Sequence, residues 1–313
     1  MLTFPTGALV YGIQLPVQSQ STLYAEPWEA AAGPAELLAV ARAADRAGYA
    51  YIACCDHVAV PKRLAAAMST VWYDPVATLS FLAAATESVA LLSHVAVVGL
   101  RHPLATAKQY ATLDHLSGGR LVLGVGAGHV REEFDALGAD FDRRGAVLDE
   151  TIDALKAALG EEEFPSHEGE RFSFGGLGQR PRPAQRPRPP LWVGGSSPAA
   201  VRRAALRGDG WLPQGDRREA LPGKIERIRR LRDEAGLAET PFTFGAIAEP
   251  LYVGQPAWDV GPRTLTGDPA RLAESLRAYR AMGVTQLQLR FRSRSRAELT
   301  DQLEHFAEEV PAL

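Results

Sequence analysis

The sequence predicts a (β/α)8 TIM barrel with insertions, organised as one domain over residues 1–313. Three observations predict it. Eight short runs rich in Val, Leu and Ile alternate with stretches of helical spacing, the mark of repeated βα units. Glycine stands at many helix-to-strand junctions, such as Gly48 and Gly283, where a left-handed backbone is cheapest. The first strand runs into Pro16 rather than a Gly-rich turn, which disfavours the alternative, an open doubly wound sheet.

Taken in order, the first strand is expected over Ala8 to Leu15. Pro34 suits a first helical turn, apolar residues recur at Leu37, Leu38, Ala41, Ala44 and Ala47, and a buried strand follows at Tyr51 to Cys55. A helix near Val76 to Ala85 precedes a strand over Leu91 to Val98, and a helix near Leu104 to Leu116 precedes a strand over Leu121 to Val125. A long helix over Arg144 to Leu159 leads into an irregular segment. Beyond it come strand Leu191 to Val193, helix Ala199 to Leu206 and a brief strand at Trp211 to Pro213. Helix Lys224 to Glu234, strand Phe242 to Ala248, helix Ala270 to Met282, strand Val284 to Arg290 and a closing helix over Arg296 to Glu309 complete the pattern. Residues 164–190 interrupt the rhythm as an insertion whose Gln179 to Pro190 run is dense in Arg and Pro. That run reads as a solvated extended connector, the alternative being a docking ligand for an aromatic groove.

With 46% hydrophobic and 23% charged residues the composition is globular, and a formal charge of -3 offers no general attraction to phosphate backbones or anionic lipid. Neither a nucleic-acid nor a membrane partner is expected, and no segment has the apolar length to cross a bilayer. The amino terminus lacks a basic stretch followed by an apolar run, so the expected address is cytoplasmic. Cys54 and Cys55 are adjacent, cannot staple distant segments and give no metal-ligand spacing, so both read as reduced strand residues and no metal site is expected.

In such a barrel the active site lies at the carboxyl ends of the strands. Strand two ends in Cys55-Asp56-His57, strand three holds His94, strand four ends in Gly124-Val125-Gly126-Ala127-Gly128-His129, and strand five ends in Gly194-Gly195-Ser196-Ser197-Pro198. The last stretch can cradle an anion, since small residues admit a ligand to the backbone and Ser-Pro starts a helix with free N–H groups; a plain capped helix start is the alternative. The Gly124 to Gly128 stretch lacks the full dinucleotide spacing, and as a strand end would let a flat ring lie against the backbone. Asp56-His57 reads either as a polar pair touching cofactor and substrate, with His57 moving protons, or as a helix cap beside a satisfied histidine. His94 alone reads as a hydrogen-bonded core residue.

Together these stretches resemble the luciferase-like monooxygenase superfamily, most closely its branch that uses coenzyme F420. The matching residues are Ala41 to Tyr49, Asp56-His57, Asp74-Pro75, Arg101-His102-Pro103, Leu113-Asp114, Ser117 to Leu121, Gly124 to Gly128, Pro189 to Gly195 and Gly208 to Trp211. The resemblance spans nearly the whole chain and implies a (β/α)8 fold. It implies that Asp56 and His57 lie beside the reactive face of the cofactor, the histidine with a hydride-transfer or proton role. It also implies a non-prolyl cis peptide at His94-Val95, in a bulge that backs the ring together with Val97. Gly126, Ala127, Gly128 and His129 would line the cofactor, and the phosphate would lie on Gly194, Gly195, Ser196 and Ser197. His129 departs from relatives with Trp or Glu there, and Glu132 is a candidate cofactor or substrate contact.

The implied function is an F420-dependent oxidoreductase moving hydride between the deazaflavin and a small organic substrate. The alternatives are a monooxygenase using reduced FMN and O2, and a catalytically silent flavin-binding barrel. The segments Val58 to Tyr73 and Phe164 to Pro190 are expected to cover the pocket with Met68, Trp72, Tyr73, Phe172 and Phe174, favouring a partly apolar or aromatic substrate. A homodimer is the expected assembly, with the apolar stripe Val76 to Ala85 serving as core or interface.

Overall fold

The computed structural model describes residues 1–4 and 9–309. Eight parallel strands close into a barrel: β1 Val10–Gln14, β2 Tyr51–Cys54, β3 Ala90–Ser93, β4 Leu121–Val125, β5 Leu191–Gly194, β6 Gly210–Leu212, β7 Thr243–Ile247 and β8 Gln286–Leu289. Each pairs with its sequence neighbours, and β8 returns to β1 with Gly12 opposite Gln288. A helix follows every strand: α1 Pro34–Arg46, α2 Pro75–Ala83, α3 Pro103–Leu116, α4 Arg144–Leu159, α5 Pro198–Arg207, α6 Leu221–Glu234, α7 Pro269–Ala281 and α8 Arg296–Glu309. The chain is therefore a (β/α)8 TIM barrel with insertions. Ala8, where the sequence reading begins the first strand, lies outside the described residues.

Proline at the first helical turn starts most of these helices, with Asp74, Ser197 and Asp268 accepting a backbone N–H as caps. Their apolar faces pack on the outside of the barrel around Leu37, Leu79, Leu148, Ile228 and Leu276, all at most 1% exposed. Inside, large side chains fill space that glycines leave open. Tyr51 lies over Gly12 and Trp192 over Gly210, where an added Cβ would come within 2.5 Å of the ring in each case.

Strand β3 is shorter than the apolar run predicts. After Ser93 the backbone bulges: His94 N–H still reaches Cys54 on β2, but the next bond to β4 is made by Ala96 N–H to Gly124 at 2.8 Å. The Ser93 hydroxyl fills the gap, accepting from Gly124 N–H at 3.0 Å and donating to the Gly124 carbonyl at 2.9 Å. Hydrophobic periodicity cannot register this, because Leu91 and Leu92 before the bulge and Ala96, Val97 and Val98 after it are all buried.

The insertion is extended but tied down. A short antiparallel pair, His167–Glu168 with Ser173–Phe174, is pinned to α4 by Glu150, which accepts from Arg171 and Phe172 N–H. The Arg/Pro run then passes along the rim opposite the strand carboxyl ends, where buried Gln185 bonds both Asp114 and the Leu121 carbonyl. It is thus more than the solvated connector expected.

Among the described glycines Gly124 faces the tightest contact, since a Cβ there would sit 2.0 Å from the Ser93 carbonyl oxygen. Gly124→Ala is expected to lower stability by about 1–3 kcal/mol through overpacking, read as a lower denaturation midpoint. An unchanged midpoint would contradict this account of the β3–β4 junction.

Candidate active site

At the mouth of the barrel the residues after β2, β3 and β4 form one connected polar group. Asp56, just past β2, is 4% exposed, and its carboxylate takes both forks of the Arg101 guanidinium at 2.7 and 3.0 Å plus Val97 N–H at 2.8 Å. A bidentate, charge-assisted contact of this kind fixes geometry as well as charge. Asp56 is therefore engaged in holding the chain after the bulge.

The peptide bond His94–Val95 is cis. Val95 projects against β4 and β5: an added Cβ on Gly126 would lie 2.5 Å from one Val95 methyl, and one on Gly194 would lie 2.8 Å from the other. Within the Gly124 to Gly128 stretch, read as a seat for a flat ring, the space beside Gly126 is occupied by Val95. Gly128, at φ +75, makes the corresponding room for Val97 and Phe134. Ala127 is half-buried between them.

His57 is held by a residue the sequence reading missed. Its Nδ1 lies 3.1 Å from Glu133, whose carboxylate is fully buried and also accepts Val58 N–H at 2.5 Å and Ala59 N–H at 3.2 Å. Burial pushes the Glu133 carboxyl up, but the contact from His57 and the two backbone N–H groups outweigh it and hold it below its ordinary range. The imidazole packs edge-on against Trp72 at 4.5 Å and His129 at 5.3 Å. His129 is itself held below the usual histidine range by desolvation and by facing His57. Glu132 points the other way and forms an exposed ion pair with Arg63 at 2.5 Å. Adjacent positions on the short helix Arg131–Ala136 diverge by about 100°, so the useful carboxylate sits one residue from the candidate.

His94 stands between these groups and the far wall. Burial drives it down to about 4, so it is neutral at physiological pH. Its Nε2 is 3.2 Å from the Gln214 side chain, and it approaches the Gln288 side chain, although neither Nδ1 nor Gln288 Oε1 completes a well-aligned hydrogen bond. Gln288 reaches Gln14, which reaches the Cys55 sulfur, each at 3.1 Å. Both cysteines are free, and burial lifts Cys55 to about 12.

On β5, Gly195 adopts φ +116 and Ser197 caps α5 through Ala200 N–H at 3.2 Å. The Ser196 hydroxyl is bonded to Asp216, which pairs with Lys224. Asp56, His57, His94, Gly128 and Ser196 thus all lie at the strand carboxyl ends, on one rim.

A cavity of about 780 Å3 opens beside this group, at the ends of β1, β6, β7 and β8. Its wall comes from segments 13–29, 213–221, 247–263 and 288–303. Of the side chains expected to line the pocket, Met68, Tyr73, Phe172 and Phe174 do not border it, and Trp72 meets His57 instead. The insertion is kept away by Glu150, with Phe172 edge-on to His102 at 5.3 Å.

The model of a family described as luciferase-like monooxygenase matches residues 10–260. An uncharacterized protein of Mycobacterium tuberculosis is 32% identical over 224 residues, which cover 67% of this chain and 75% of that protein. The FMNH2-dependent dimethylsulfone monooxygenase of Pseudomonas putida is 34% identical over 151 residues, 47% of this chain and 41% of that protein. Among solved structures, an F420-dependent secondary alcohol dehydrogenase in complex with an F420-acetone adduct superposes with a TM-score of 0.76. The match covers 97% of this chain and 98% of that one at 16% identity, a likeness of fold.

Removing Arg101 leaves the Asp56 charge buried without its partner, so Arg101→Ala is expected to cost about 3–5 kcal/mol in chemical denaturation. A loss well under 1 kcal/mol would show that Asp56 is not clamped. Because the folded carboxyl of Glu133 is held below its unfolded value, its stabilisation is present above the ordinary carboxylate range and disappears as pH falls through the folded value. The Tm gap between the native chain and Glu133→Gln should therefore be open at pH 7 and narrow in acid.

Proposed function

The chain belongs to the luciferase-like monooxygenase family, and from that premise we propose that it is a coenzyme F420-dependent oxidoreductase acting on a small organic substrate. The observation that carries the reading is the His57–Glu133 pair at the barrel mouth. When bound, the deazaflavin gives or takes a hydride. Transfer of hydride to a C=O or C=N carbon leaves the heteroatom needing one proton, and the reverse direction leaves one proton to remove.

His57 handles that proton at Nε2, because Nδ1 is committed to Glu133. Glu133 acts as a positioning residue: three contacts fix its carboxylate, and it in turn fixes the ring and tautomer of His57. Trp72 closes one side of the imidazole and limits water. The barrel mouth suits a ring with amide-like edges, since His94 Nδ1 and Gln288 Oε1 are buried polar atoms that make no well-aligned hydrogen bond. The residues that would hold such a group are the bulge His94 to Val97, the turn Gly126 to His129, and, for a phosphate, the loop Gly194 to Ser197.

A second reading, an FMN-dependent monooxygenase, is supported by the 34% identity to the dimethylsulfone enzyme over 151 residues. Fluorescence titration with F420 and with FMN separates the two. Tight FMN binding with no F420 binding, together with oxygen uptake on reduced FMN, would replace the first reading by the second. Under the first, His57→Asn lowers turnover by about 10²–10³-fold while F420 affinity changes only a few-fold. Unchanged turnover in that variant would remove His57 from the chemistry.

A further inference from the structure

The cavity beside the His57 group has a divided wall. Leu15, Leu289, Phe291, Leu299 and Leu303 give it an apolar side. The same cavity is lined by four arginines, Arg217, Arg218, Arg263 and Arg290, from three separate segments. Their bonding is incomplete. Arg218 offers five N–H donors and spends one within hydrogen-bond distance, on the Ser275 carbonyl at 2.9 Å, while its Nε is buried without a partner. Its guanidinium lies over the Tyr279 ring, 4.4 Å from the centroid. Arg290 donates to the Leu23 carbonyl at 3.0 Å, and burial lowers its pKa. No side-chain hydrogen bond or ion pair engages Arg217 or Arg263 among the described residues.

The acids on the same wall are mostly committed. Asp216 pairs with Lys224 and Glu29 accepts Val17 and Glu26 N–H, whereas Glu26 lies 2.9 Å from Arg292 and 3.9 Å from Arg290 with its buried Oε1 making no hydrogen bond. Glu249 accepts the Tyr279 hydroxyl at 2.8 Å and approaches Arg218 only to 3.9 Å. Glu219 is exposed at the edge. Elsewhere in the chain, half-buried arginines such as Arg120 and Arg188 are saturated with close contacts. Among the arginines of this wall Arg218 stands out, half-buried with a donor left unbonded, while Arg217 and Arg263 are exposed.

We propose that this cavity binds an organic anion, a carboxylate or phosphate on an apolar body, with Arg218 and Arg263 as the residues that select for the charge. The planar fork of a guanidinium suits either oxyanion. Gln14 and Gln288 line the cavity, Gln14 bonded to Cys55 and Gln288 approaching His94, so the apolar body would extend toward the proton-handling group. The inference rests on the proposed enzymatic reading for its role as substrate site, and on the cavity alone for the binding.

Calorimetric titration of the whole chain, with no cofactor added, tests it using octanoate against octanamide and phenyl phosphate against phenol. At least one anion is expected to bind about tenfold or more tightly than its uncharged counterpart. The Arg218→Gln/Arg263→Gln variant should erase that preference, and Arg263→Gln, at an exposed position, should weaken it by itself while the fold persists. Equal binding of charged and uncharged members of both pairs overturns the proposal, as does a preference that survives in the double variant. Anion preference without F420 or FMN binding would leave this site standing and remove the cofactor reading, and flavin binding without anion preference would do the opposite.

Discussion

The rim of this barrel depends on one buried ion pair. Asp56 at the end of β2 draws in Arg101 and Val97 N–H from the segment after β3. A carboxylate so buried is tolerable only while both contacts last, so the contact acts as an all-or-none latch on the chain between Ser93 and Arg101. With that chain latched, the bulge is fixed, and Val95 is driven between the ends of β4 and β5. Gly126 and Gly194 are needed there for the same reason, since neither position has room for a methyl group.

The same latch organises the polar groups above it. His94 is delivered to the centre of the mouth, stripped of water and neutral, facing Gln214. His57, the next residue after Asp56, is turned outward toward Trp72 and secured from behind by Glu133. Two histidines within one rim therefore have different electrostatic settings: one is desolvated without an acidic partner, the other rests on a buried carboxylate. The neighbouring cavity adds a third setting, four arginines interspersed with carboxylates, of which Arg218 keeps a buried Nε unbonded.

Much of this was legible in the residues. Eight apolar runs and their glycine and proline punctuation were enough to anticipate the barrel, and the residues at the strand ends were recognisable as a set. The reading slipped where neighbours far apart in sequence decide. Glu132 and Glu133 are chemically identical, and only the phase of the short helix that carries them tells which faces His57. Gly126 suggested space for a ligand, because nothing local indicates that Val95 will fill it. The insertion looked like a pocket cover from its aromatic content, but Glu150 and Asp114 hold it along α4 and the opposite rim.

The sequence by itself determined the order of elements, the parallel closed sheet and the rim on which chemistry is possible, because periodicity and turn residues act over a few positions and add up along the chain. The tertiary structure alone decided which carboxylate orients His57, what Val95 occupies and where the open cavity lies. Those outcomes depend on contacts between segments tens of residues apart, and such contacts leave no periodic trace in the chain.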